Sequence, residues 1–103
     1  MSDKRWKRAE RLMARDVGTE RIPVTGIDRD GADFVSGPFH YQLKHRKSIP
    51  DWLFTWLSGI CATAGDQTGV LVLNQPGRRR SEAVVIVSWR DWCDLHGVPV
   101  VEE

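Results

Sequence analysis

Apolar residues recur at helical spacing over residues 3–17. On a wheel of about 100° per residue Trp6, Met13 and Val17 share one stripe, and Gly18 supplies the stop. Residues 21–25 read as a short strand that Pro23 restricts to an edge or irregular position. Asp28-Arg29-Asp30-Gly31 has turn composition, residues 32–35 predict a second strand, and Gly37-Pro38 marks the next turn. Residues 39–44 alternate strictly. Phe39, Tyr41 and Leu43 point one way, and His40, Gln42 and Lys44 the other.

A second helix is expected to start at Ser48 as cap, with Pro50 in its first turn and Asp51 close behind, and to end at Gly65. Its apolar stripe is Ile49, Trp52, Leu53, Trp56, Leu57 and Ile60, while Phe54 lies off that stripe and suits an oligomer contact. Residues 70–73 and 83–87 are continuous apolar runs, suited to strands covered on both faces in a mixed sheet. Between them Gln75-Pro76-Gly77 opens a turn that carries Arg78, Arg79 and Arg80. Ser88 with Asp91 three residues later predicts the cap of a last helix, closed by Gly97 and Pro99. The order αβββαββα predicts an α/β domain of one mixed sheet with helices packed on it, filling residues 1–103 as a single unit.

The 103 residues carry 15 Lys+Arg against 14 Asp+Glu, a formal charge of +1. That balance argues against a nucleic-acid binder only if the charges are spread evenly, and they are segregated. Lys4, Arg5, Lys7, Arg8, Arg11 and Arg15 crowd the first helix, Lys44, Arg46 and Lys47 follow a strand, and Arg78, Arg79 and Arg80 form a loop run. Such patches can contact phosphates. Cys61 and Cys93 lack metal-ligand spacing and read as packed thiols of a reducing cytoplasm. The charged N-terminus has no apolar h-region and no apolar run approaches about 20 residues, so neither a signal peptide nor a membrane span is expected. The five tryptophans, Trp6, Trp52, Trp56, Trp89 and Trp92, read as core anchors.

The candidate chemistry gathers on three elements. Glu10 lies only about 40° from Trp6 and about 20° from Val17 on the helix wheel. An acid inside an apolar stripe faces the body of the protein, where it needs a lysine, a water network or a metal. Arg11, Arg15 and Lys44 are structural candidates to pair with it. Asp33 follows a turn at the start of a strand, and Gln42 and Lys44 share a face of the next strand. A carboxylate, an amide oxygen, a backbone carbonyl and a second carboxylate are hard oxygen ligands that suit Mg²⁺ or Mn²⁺.

A helix glutamate, then Asp33 on a hairpin followed by Gln42-Leu43-Lys44, resembles the PD-(D/E)xK nuclease superfamily. The local context, Ala32-Asp33 and Tyr41-Gln42-Leu43-Lys44-His45-Arg46-Lys47-Ser48-Ile49-Pro50, is most similar to small phage-encoded members that resemble Holliday-junction resolvases of DNA recombination. The resemblance implies a restriction-endonuclease-like αβββαβ core and a metal-dependent endonuclease acting on branched DNA, as a homodimer in the host cytoplasm. It implies Asp33 as principal metal ligand, with the Gln42 side-chain oxygen, the Leu43 carbonyl and Glu10 completing a Mg²⁺ or Mn²⁺ site. Lys44 would assist the attacking water, so the implied catalytic set is Glu10, Asp33, Gln42 and Lys44. Lys7, Arg11, Arg46, Lys47, Arg78, Arg79 and Arg80 would hold the DNA backbone. Two positions depart from the pattern. Ala32 stands where the family has proline, and Gln42 where it usually has an acid, which removes a negative charge from the metal site. The Gln42 substitution motivates an alternative, a weakened nuclease fold that serves as a DNA-binding or assembly module. A third reading is an interaction protein unrelated to nucleases.

Overall fold

The computed structural model describes residues 3–22 and 31–96. Helix α1 (Asp3–Asp16) alternates long charged side chains with alanine, leucine and methionine, all strong helix formers. Its inward face carries Glu10, Ala14 and Val17, all buried, with Met13 partly buried beside them. Gly18 ends the helix as expected. Its N–H donates to the Arg15 carbonyl at 3.0 Å, and Thr19 N–H donates to the Ala14 carbonyl at 2.9 Å. The side chain of Trp6 lies outside the described residues.

Strands β1 (Phe34–Ser36) and β2 (Phe39–Tyr41) pair antiparallel, with Phe34 opposite Tyr41 and Ser36 opposite Phe39. The two-residue connection is Gly37-Pro38, and Gly37 adopts φ 57°, the positive value that a tight hairpin turn needs at its first position. Ser36 Oγ donates to the Val17 carbonyl at 2.6 Å, which fastens the hairpin to the end of α1. The alternation read from the sequence persists past the strand. Tyr41 and Leu43 are half-buried, while His40, Gln42 and Lys44 are exposed.

Helix α3 (Trp89–Leu95) closes the core from the other side. Ser88 caps it as expected, its Oγ accepting the Asp91 N–H at 3.1 Å. Cys93 is fully buried with Ala14, Val17 and Phe34, and Tyr41, Trp89 and Trp92 pack around them. Phe34 stacks on Tyr41 with ring centroids 4.9 Å apart, and Trp89 meets both edge-on. The indole N–H groups are satisfied at this boundary. Trp89 Nε1 donates to Asp16 and Trp92 Nε1 to the Tyr41 hydroxyl, both at 2.9 Å. Trp89 and Trp92 thus serve as the anchors expected of them.

Helix α2 (Asp51–Ala64) and the hairpin of β3 (Leu71–Leu73) and β4 (Val84–Ile86) form the second part of the molecule. The hairpin packs on α2 through Gly69. A Cβ there would stand 2.8 Å from the Cys61 Cα, so only glycine permits the approach. A one-turn 3₁₀ segment (Arg80–Glu82) lies in the connection, where the sequence predicts only a turn.

Several expectations are corrected. The described strands form two separate antiparallel hairpins rather than one mixed sheet. Each strand spans three residues, and each pairs with its neighbour in sequence, so neither hairpin gains a third strand among the described residues. The cross-strand pair Val72 and Val85 is therefore 57% and 63% exposed, not covered on both faces. Ser48 does not cap α2. The cap position is Pro50, with no side-chain hydrogen bond, because proline fixes its own φ and pushes Ile49 out of the helical region. Trp52 and Trp56 are 43% and 53% exposed, so they are not core anchors. The half-buried side of the helix is instead that of Leu53, Leu57, Cys61 and Ala64. Arg21 and Ile22 are not in a strand, although the Ile22 N–H donates to the Asp33 carbonyl at 2.7 Å. The rest of that expected strand, residues 28–30 of the expected turn, and Gly97 with Pro99 lie outside the described residues. The coarse expectation holds: the described residues form a small mixed α/β fold with three α-helices.

Candidate functional site

Asp33 sits one residue before β1, at the point where the hairpin leaves strict register. Phe34 is the register partner of Tyr41, yet the Tyr41 carbonyl accepts the Asp33 N–H at 2.7 Å, a slip of one residue like that of a β-bulge. The Asp33 carboxylate then reaches across the hairpin. Its Oδ2 accepts the Leu43 N–H at 2.6 Å. Asp33 is thus tied to the middle residue of Gln42-Leu43-Lys44, the segment the sequence pairs with it. A carboxylate has about four lone-pair sites, so one such bond leaves capacity for a further ligand.

Gln42 is exposed and lines a recess of about 380 Å³ with Gly31, Ala32, His40 and Tyr41. It also borders a second recess of about 600 Å³, lined by Tyr41, Val85, Val87, Trp89 and Trp92. Lys44 is exposed one residue beyond Leu43. His40 shares the Gln42 face, as the alternation predicts.

Glu10 is 3% exposed, which bears out the expectation that this acid faces the protein body. Its partner is neither Arg11, Arg15 nor Lys44. Arg21 Nε donates to Glu10 Oε2 at 2.5 Å, an ion pair in which both side chains are largely buried. Sequence reasoning missed Arg21. The available signal was its isolation, since it is one of three basic residues outside the charge clusters. The pair connects onward through the chain, because Ile22 donates its N–H to Asp33. Glu10, Asp33 and Leu43 are thereby linked through the segment that follows α1.

Among the expected backbone-contacting residues, Arg11, Arg46, Lys47, Arg78, Arg79 and Arg80 are exposed and Lys7 is half-buried. Arg46 and Lys47 lie in the irregular stretch between β2 and α2. The arginine run is held in shape by Glu82, which accepts from Arg78 Nη1 at 3.3 Å and from the Arg79 N–H at 3.1 Å. Part of its charge is therefore answered locally.

The donor set suits a hard cation. Asp33 supplies a carboxylate, Gln42 an amide oxygen and Leu43 a carbonyl, and Mg²⁺ is commonly held by one or two carboxylates with water and phosphate. Among the described members of the expected site the fit rests on the Asp33 carboxylate, because Glu10 is occupied by Arg21. Among the described residues no three His, Cys, Asp or Glu side chains gather into a metal-binding group. No described helix is long and apolar enough to cross a membrane. Compared with models of protein families, with curated proteins and with solved structures, the chain has no match in any of the three.

Proposed function

We propose that this chain is a metal-dependent DNA endonuclease that hydrolyses phosphodiester bonds in branched or structured DNA, on a PD-(D/E)xK-type nuclease core. The observation that carries the reading is the hydrogen bond between the Asp33 carboxylate and the Leu43 backbone, which joins the aspartate to the Gln42-Leu43-Lys44 segment. In this reading Asp33, the Gln42 side-chain oxygen and the Leu43 carbonyl hold Mg²⁺ or Mn²⁺. The ion supplies Lewis-acid stabilisation of the scissile phosphate and a more acidic water. Lys44, exposed beside this segment, orients the attacking water and offsets charge on the phosphate. Arg46, Lys47 and the Arg78-Arg79-Arg80 turn contact the backbone.

A two-fold dimer is part of the proposal, since a four-way junction presents two symmetric strands. It is supported by α2, where Trp52 and Trp56 lie in van der Waals range of each other on the surface, ring centroids 4.8 Å apart, and Asp51 is the one charged residue in the helix. The test is incubation of labelled four-way junction, flap and linear duplex with Mg²⁺ or Mn²⁺. Wild type should cut the junction, and Asp33→Ala and Lys44→Ala should not. Absence of cutting by wild type, or equal cutting by both variants, overturns the reading.

One observation favours a second reading, a nuclease fold retained as a DNA-binding module. Gln42 stands where the family usually has an acid and Glu10 is committed to Arg21, which leaves Asp33 as the one carboxylate of the expected set Glu10, Asp33, Gln42 and Lys44. Duplex binding that is indifferent to metal, with no cutting of any substrate, would favour it.

A further inference from the structure

The end of β2, strand β4 and helix α3 border a recess of about 600 Å³, lined by Tyr41, Gln42, Val85, Val87, Trp89 and Trp92. We propose that this recess receives one unpaired nucleobase of a DNA substrate, its ring against the aromatic wall and its polar edge at the Gln42 amide. The proposal rests on the nucleic-acid part of the reading above and deepens it. It names the feature of structured DNA that is recognised, a base outside the double helix.

Three observations carry it. The first is the lining, which consists of three aromatic side chains, two valines and one amide. A nucleobase is a flat, uncharged ring with donors and acceptors at its edge, and proteins hold it by stacking on aromatic side chains and by hydrogen bonds to that edge. The volume falls within the roughly 300–1,000 Å³ of small-ligand sites. The second is that the wall is built before a ligand arrives. Buried Phe34 stacks on the Tyr41 ring, centroids 4.9 Å apart, and so backs it from the core. Trp89 and Trp92 are fixed by their indole hydrogen bonds to Asp16 and Tyr41, both at 2.9 Å. Rings already held lose little freedom on binding. The third is position. Gln42 precedes Leu43, the residue that the Asp33 carboxylate fastens, and the exposed Lys44, Arg46 and Lys47 follow it. A nucleotide joins an uncharged ring to a phosphate, and this stretch of chain offers an amide for the one and cations for the other. Gln42 can serve both the base and a metal, since an amide whose oxygen is given to a cation keeps two N–H donors.

The probe is a labelled duplex with one bulged adenine, compared by anisotropy in EDTA with the same duplex whose bulged nucleotide is abasic. The two carry the same phosphates, so the ratio of their affinities reads the base alone. Wild type should bind the bulged-base duplex roughly ten-fold more tightly, the order of one stacked base. Val85→Glu places a carboxylate at the recess, and Val84→Glu places one on the opposite face of the hairpin, since successive strand residues point opposite ways. Both positions are more than half exposed, at 63% and 54%. Val85→Glu should abolish the preference for the bulged base, and Val84→Glu should keep it. Wild-type protein that binds both duplexes equally overturns the proposal whether or not either variant folds, and leaves the nucleic-acid reading standing. Equal loss of the preference in both variants likewise overturns the recess as its source. Absence of binding to either duplex overturns the nucleic-acid reading and the proposal with it. Adenosine monophosphate separates the ligand sources. Micromolar binding of that nucleotide, abolished by Val85→Glu and unaccompanied by a bulge preference, assigns the recess to a free nucleotide and overturns the DNA assignment.

Discussion

Arg21 Nε stands 2.5 Å from Glu10 Oε2, and this contact joins the inward face of α1 to the segment eleven residues further along the chain. Glu10 is the buried charged residue among those described, and the arginine makes its burial tolerable. Removal of Arg21 leaves a carboxylate unpaired in the interior. Arg21→Ala is expected to cost about 3–5 kcal/mol, and Glu10→Gln, which leaves a guanidinium with more access to water than the sealed carboxylate has, clearly less. Urea denaturation of the two variants checks this, and equal losses would contradict the burial argument.

Asp33 has a structural duty as well as its proposed chemical one. Its carboxylate accepts the Leu43 N–H at 2.6 Å, and a hydrogen bond to a charged group contributes about 1.5–3 kcal/mol. Asp33→Ala should lose that amount. Asp33→Asn keeps an acceptor oxygen, so its stability should stay within about 1 kcal/mol of wild type while junction cleavage falls by roughly 100-fold or more. Thermal melts alongside cleavage rates separate the two effects.

The Trp92 indole and the Tyr41 hydroxyl share one hydrogen bond at 2.9 Å at the edge of the core. Tyr41→Phe should cost about 1 kcal/mol. Added to Trp92→Phe it should cost less than the sum, because the second substitution removes a partner already lost. A double-mutant cycle by chemical denaturation measures the coupling.

Burial first, and then the nearby Asp16 and Asp94 carboxylates, push the Cys93 thiol above its ordinary value of 9.0. In the folded protein Cys93 therefore keeps its proton at a pH where the unfolded chain has begun to lose it. Its contribution to stability is fully present below about pH 9 and is lost as pH rises through the folded value. Native protein at pH 8 should react with a thiol reagent at Cys61, which is half-buried, well before Cys93. Simultaneous modification of both thiols in the native state would contradict the packing.

The exposed tryptophans of α2 give the proposed dimer its test. Trp56→Glu should convert a dimeric sedimentation profile to a monomeric one without change in helix content, since Trp56 is 53% exposed and supports no core contact of its own. A wild-type protein that sediments as a monomer at micromolar concentration would exclude the dimer.

Local rules carried much of this structure. The spacing of Glu10 with Val17 determined that the acid faces inward, because a helix has one period whatever it packs against. Ser88 determined the start of α3, and Gly37 the turn between β1 and β2, since caps and tight turns depend on a few adjacent residues. The alternation from Phe39 to Lys44 determined which side chains reach solvent. Tertiary structure decided what no local pattern encodes, namely partners. It chose Arg21 for Glu10 and Leu43 for Asp33, and it left Trp52 and Trp56 uncovered. It also closed the apolar runs 70–73 and 83–87 into a hairpin of their own. A strand's hydrophobicity reports that it wants a cover, but which neighbour supplies one is settled by the competition among all surfaces of the chain.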